Sequence, residues 1–138
     1  IVYREKAINS SGATKSEEAP KDFDFSFDIN PDPVLLFRYS ALTFNGHRIH
    51  YDYPFCTETE GYDGLVVHGP LLATLLLDGL ANHKPDAVVQ NFEFRAIAPV
   101  FDHMKFQVKG IQREPGEYSL WIEREDGTIA MNAKARVR

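Results

Sequence analysis

From Pro70 to Ala81 the chain reads Pro-Leu-Leu-Ala-Thr-Leu-Leu-Leu-Asp-Gly-Leu-Ala, a helix-length stretch that is apolar on almost every side. A helix without a polar face has to be buried all round, so the rest of the chain must wrap it. Its densest part, Leu71 to Leu77, falls well short of the roughly 20 apolar residues of a membrane helix. With 138 residues, the chain has material for one core and no second one.

The wrapping is legible after Pro85. Ala87 to Ala98 places Phe92, Phe94, Ala96 and Ala98 on one face, and Met104 to Arg113 alternates through Phe106 and Val108. Pro115-Gly116 then makes a turn. Tyr118, Leu120 and Ile122 share one face of the next strand, Asp126-Gly127 is a strong hairpin signal, and Ile129, Met131, Ala133, Ala135 and Val137 line a last strand. Upstream, Phe23, Phe25 and Phe27 alternate with polar residues as in a half-buried strand. Asp32 is placed to cap a short helix from Pro33 to about Ala41. The expected fold class is α+β, an antiparallel sheet wrapped around a central apolar helix, and the small residues of the last strand let that sheet curl closely.

Ile1 to Glu5 reads as a short strand with nothing before it to pair with, and Lys6 to Asp22 is too polar to offset its ordering entropy. Residues 1–22 are therefore expected to be the end of a preceding segment plus a flexible linker, and 23–138 the folded domain. A net charge of −5 without a Lys/Arg cluster excludes a nucleic-acid binder. One cysteine, Cys56, makes no internal disulfide, and no Cys/His spacing of the zinc type is present. A cytoplasmic, reducing location is expected, with a mitochondrial one as the alternative.

Phe44 to Tyr62 lacks periodicity and is dense in Asn, Gly, His, Tyr and Asp; its aromatics argue for a packed, functional loop rather than a disordered one. Within it His47 and His50 lie three apart, and a metal is the weaker reading because Asp52 is a thin third ligand. His68-Gly69-Pro70-Leu71 opens the buried helix. There the first N–H groups have no intrahelical partner and the dipole is positive, so an enolate oxygen would be favoured over the ketone it came from. From spacing alone, a satisfied, buried His68 and a glycine that merely relieves crowding are the stronger account. His83 and His103 fall in turns, and Asp78 at a polar edge.

The two segments Tyr39 to His50 and Leu65 to Ala73 together resemble the MaoC-like dehydratase family of hot-dog fold proteins, over Tyr39 to about Val100. Tyr39, Leu42, Thr43, Ile49 and His50 match one family motif, and His68-Gly69-Pro70-Leu71 matches the signature that opens the central helix. Where the family has Gly-Asp this chain has Phe44-Asn45, and where it has Asn-Pro this chain has His47-Arg48. That variant resembles the branch of hydroxyacyl-thioester dehydratases and mesaconyl-CoA and itaconyl-CoA hydratases, in which the domain is often the second of two hot-dog halves. The resemblance implies hydration of an enoyl thioester, or dehydration of the hydroxyacyl thioester, carried on CoA or acyl carrier protein.

It further implies His50 for proton transfer, Asn45 to orient water, the Gly69 N–H for the thioester oxygen, and Tyr39, Arg48, His68 and Leu71 against the substrate. Arg48 would face a substrate carboxylate, with a paired or solvated arginine as the alternative. No metal or dissociable cofactor is expected. A homodimer, or pairing with a second hot-dog unit, is. The competing readings are a hot-dog thioesterase and a non-catalytic acyl-binding half.

Overall fold

The computed structural model describes residues 16–138. Five antiparallel strands form one sheet: β1 (Phe25–Ile29), β2 (Val89–Ala96), β3 (Phe106–Glu114), β4 (Glu117–Arg124) and β5 (Ile129–Val137), in spatial order β1-β3-β4-β5-β2. Helix α1 (Pro33–Thr43) follows β1, and helix α2 (Gly69–His83) lies against the sheet. The sheet holds α2 as the apolar run requires. Leu71, Leu72, Ala73, Leu76 and Leu80 pack against Val108, Leu120, Ile122, Met131 and Ala133.

Two glycines allow that close approach. A Cβ at Gly79 of α2 would sit 2.7 Å from a methyl of Val108, and one at Gly110 of β3 would sit 2.5 Å from the ring of Phe25. On β5 every second residue from Ile129 to Val137 is buried, matching the expected alternation. The β4–β5 hairpin turns at Asp126-Gly127, with Gly127 at φ +83°, and the Asp126 carboxylate accepts from the Thr128 N–H. Asp32 caps α1 by accepting from the Leu35 N–H at 2.7 Å.

Four expectations change. α2 is not buried all round: Thr74, Asp78 and Ala81 line an exposed face and Leu75 and Leu77 are half-buried, because the sheet covers one side of the helix. Of the three alternating phenylalanines only Phe25 is buried; β1 is an edge strand, leaving Phe23 and Phe27 exposed. Phe94 of β2 is likewise exposed at the opposite edge. Finally, the flexible linker does not extend to Asp22. Ala19 N–H donates to the Gly127 carbonyl, Ile129 N–H donates to that of Glu17, and Glu18 bridges Thr128. The expected strand Ile1 to Glu5 and the linker before Ser16 lie outside the described residues.

The stretch from Phe44 to Tyr62 is held by hydrogen bonds more than by its aromatics: Phe44, Tyr51 and Tyr53 are exposed, and its buried residues are His50 and Cys56. A 3-10 turn at Arg48–His50 and a π-helical turn at Phe55–Thr59 are joined by Asp52, whose carboxylate accepts from the Phe55 N–H and from Arg48 Nε and Nη2. Those bonds, the Phe55 N–H first, hold Asp52 below the usual carboxylate range. The Arg48 guanidinium also lies 4.1 Å from the centre of the Phe55 ring. The result is a clamp around the turn that carries His50.

Candidate active site

α1 ends because Phe44 adopts a left-handed conformation, φ 53° and ψ 32°, after which Asn45 N–H donates to the Ser40 carbonyl. The chain then turns sharply. The Asn45 side-chain carbonyl accepts from the His47 N–H at 3.1 Å, an Asx turn that feeds the 3-10 turn and brings His50 inward. From the other side, the Leu65–Val67 segment runs alongside: Val66 N–H donates to the Ile49 carbonyl, and Val66 bridges Phe101. The chain enters α2 immediately afterwards.

His50 and His68 meet at that junction. Their rings stack at 3.7 Å between centres, 18° from parallel, and both are buried. His50 Nδ1–H donates to the Val66 carbonyl oxygen at 2.6 Å; a carbonyl only accepts, so the proton is on Nδ1 and the lone pair of the neutral ring is on Nε2. Burial lowers the pKa of His50, the Val66 bond raises it, and His47, edge-on at 5.6 Å, lowers it. The net direction is down, toward a neutral base.

His68 has no exposed surface, and burial, with His50 beside it, lowers its pKa to about 4. Its Nε2 is 2.7 Å from Ser40 Oγ, and Tyr39 meets it edge-on at 4.7 Å. Its Nδ1 has no partner among the described residues. Next in the chain, Gly69 begins α2, and nothing lies within 4 Å of where its Cβ would be. Its N–H donates to no acceptor among the described residues. An unpaired donor at a positive helix end, with open space above a glycine, suits a carbonyl oxygen that gains charge.

The structure thus draws together Tyr39, His50, His68 and, through the chain, Gly69. Asn45 lies at the rim and is half-buried, while the exposed Arg48 points into the Asp52–Phe55 clamp. Of the residues expected against the substrate, Leu71 is buried in the core and His68 is covered by Tyr39, Ser40 and His50. The sequence reading missed Ser40 and the Val66 carbonyl. α1 buries Leu36 and Ser40 and exposes the apolar Val34, Phe37 and Leu42, so the apolar pattern of the helix gives no signal for Ser40. No group of three or more potential metal ligands occurs among the described residues, and none of their helices is long and apolar enough to cross a membrane.

The family model described as hydroxyacyl-thioester dehydratase type 2 matches residues 1–102. A mesaconyl-C(4)-CoA hydratase of Chloroflexus aurantiacus is 45% identical over 134 residues, 96% of this chain and 47% of the relative. The mitochondrial hydroxyacyl-thioester dehydratase type 2 of Schizosaccharomyces pombe is 38% identical over 101 residues, 72% of this chain and 32% of that protein. The chain therefore spans less than half the length of these curated relatives. Among solved structures, an (R)-hydratase from A. caviae superposes with a TM-score of 0.71 at 20% identity, covering 94% of this chain and 98% of that one. That likeness identifies the sheet around α2 as a hot-dog fold. On the family match and these relatives, the chain belongs to the hydroxyacyl-thioester dehydratase type 2 family.

Proposed function

We propose that the chain carries the hydro-lyase site of a thioester hydratase, adding water across the C2–C3 double bond of a 2-enoyl thioester or removing it from the 3-hydroxyacyl thioester. The observation that supports it most is the arrangement of His50. Its Nδ1–H is committed to Val66, so Nε2 is the one basic position, and burial keeps it neutral near pH 7.

In the hydration direction, Nε2 takes a proton from water as the oxygen bonds to C3. The C2–C3 π pair shifts to form a C1–C2 double bond and the carbonyl π pair moves onto the thioester oxygen, where the Gly69 N–H and the α2 dipole hold the enolate. C2 then takes the proton from the imidazolium, and His50 returns to its starting state. Asn45 neither gives nor takes a proton, but the amide N–H groups opposite its Asx bond can orient the water. Arg48 enters this reading in a narrow form. Its Nε and Nη2 are held by Asp52, so its Nη1 edge is what remains for a substrate carboxylate.

The substrate we favour is a short dicarboxylyl-CoA, on the 45% identity to a mesaconyl-C(4)-CoA hydratase. Pairing with a second hot-dog unit is part of the proposal, because β2 is hydrogen-bonded on one side and exposes Val89 and Phe94, with Val88 exposed just before it. The test is the conjugated enoyl-thioester absorbance with crotonyl-CoA, mesaconyl-CoA and itaconyl-CoA, alongside a thiol assay and a His50→Ala control. Loss of absorbance that needs His50 and releases no thiol is the expected result. Thiol release would mean a thioesterase, and binding without turnover a non-catalytic acyl-binding half; either overturns the proposal.

A further inference from the structure

His68 is enclosed by Tyr39, Ser40 and His50, yet it is not built like filler. A leucine or phenylalanine would fill the same space without leaving Nδ1 buried and unpaired, a state that costs free energy. Two contacts fix its ring. Ser40 Oγ, 28 residues earlier in the chain, lies 2.7 Å from Nε2, and Tyr39 of the same helix meets the ring edge-on. The ring so fixed stacks on His50.

We propose that Ser40 and His68 are a positioning pair, locking the plane of the His50 ring so that Nε2 keeps one direction through the proton transfer. This rests on the hydratase reading above. His50 is fixed along its edge by Val66 and across its face by His68; without the second constraint the ring swivels about the Nδ1–H bond. The pair also keeps the proton where the chemistry needs it. Among the described residues, the titratable side chains facing the two rings are His47 from the loop before the 3-10 turn and Tyr39 from α1, the Val66 segment contributes only its carbonyl, and no carboxylate bonds to either ring. A second proton on His68 would place two cations face to face without a counter-ion, so the imidazolium of His50 stacks on a neutral ring.

The test compares Ser40→Ala and Ser40→Thr in the full chain, with kinetics and 15N imidazole spectra of the substrate-free protein. Ser40→Ala is expected to lower kcat roughly tenfold, since small misplacements of a reacting group are costly, with KM changed less than about twofold. It should also move the acid limb of kcat upward, as His50 regains water, and mix the two His50 tautomers. Ser40→Thr should restore the hydroxyl and most of the rate. In the wild type, His68 should show one tautomer and no protonation at pH 6. An active enzyme in which Ser40→Ala changes neither kcat nor the His50 tautomer overturns the positioning role and leaves the hydratase reading standing. If no thioester is hydrated, that reading fails while the spectra still decide this one. If Ser40→Ala does not fold, a wild-type His68 that is protonated at pH 6, or that exchanges tautomers, overturns the role.

Discussion

The imidazoles of His50 and His68 lie face to face, 3.7 Å apart, one bonded to a backbone carbonyl and the other to a helix serine. Two stacked, buried bases share one room for charge. Part of the acid behaviour of the domain follows from that.

Stability should fall as the pH drops below about 6.5. His68 has a folded pKa near 4, so between these values the unfolded chain binds a proton that the folded one does not. The contribution is complete above the unfolded pKa and is lost progressively down to the folded one, on the order of 3 kcal/mol for His68. His50 acts in the same direction. Urea unfolding at pH 4, 5, 6 and 7 checks it, with His68→Phe expected to show a flatter dependence. Catalysis in the hydration direction should persist below pH 6.5, because the lowered pKa keeps His50 neutral there.

Asn45 is predicted to matter first as a turn residue. Asn45→Asp keeps an acceptor for the His47 N–H, whereas Asn45→Ala loses it and frees the approach to the 3-10 turn. Steady-state rates should therefore rank wild type and Asp close together, with Ala lower by about tenfold or more. Equal rates for Ala and wild type would remove Asn45 from the site.

Arg48→Ala should abolish any preference for carboxylate-bearing chains over crotonyl-CoA and leave crotonyl-CoA turnover within about threefold. The ratio of kcat/KM values on the two substrates reads this directly. Because the Arg48–Asp52 pair is substantially exposed, its loss should leave stability almost unchanged.

Phe44→Gly should stabilise the protein by about 0.5–1 kcal/mol. Phe44 holds a left-handed backbone while its side chain is 96% exposed, so the substitution relieves the strain and removes almost no packing. Thermal unfolding measures it, and a lower Tm would show that the ring packs on something outside the described residues.

The sequence is most explicit where periodicity and local hydrogen bonding decide structure. The buried helix, the Asp32 cap, the Asp126-Gly127 hairpin and the alternation of β5 can all be read from a few neighbouring residues. What it does not show are relations between distant segments. Ser40, His50 and the Val66–His68 segment come from three stretches of chain, and no local pattern states that one imidazole will cover another. Burial of a strand face is similarly non-local. Phe94 alternates like Met131 and Ala133, but β2 lies at the sheet edge and they do not. The left-handed residue after α1 is hidden for another reason, since phenylalanine is a poor marker of the glycine-like conformation it adopts.

The strand order has a consequence for how the domain is made. Of the five described strands β2 leaves the ribosome second, yet β5, its hydrogen-bonding partner, is the last of the five to emerge. During synthesis Val88, Val89, Phe92 and Phe94 therefore wait with an unpaired backbone while β3, β4 and β5 are translated. The sheet closes only when β5 inserts between β4 and β2, so the nascent domain depends longest on protection at the edge that it later leaves uncovered.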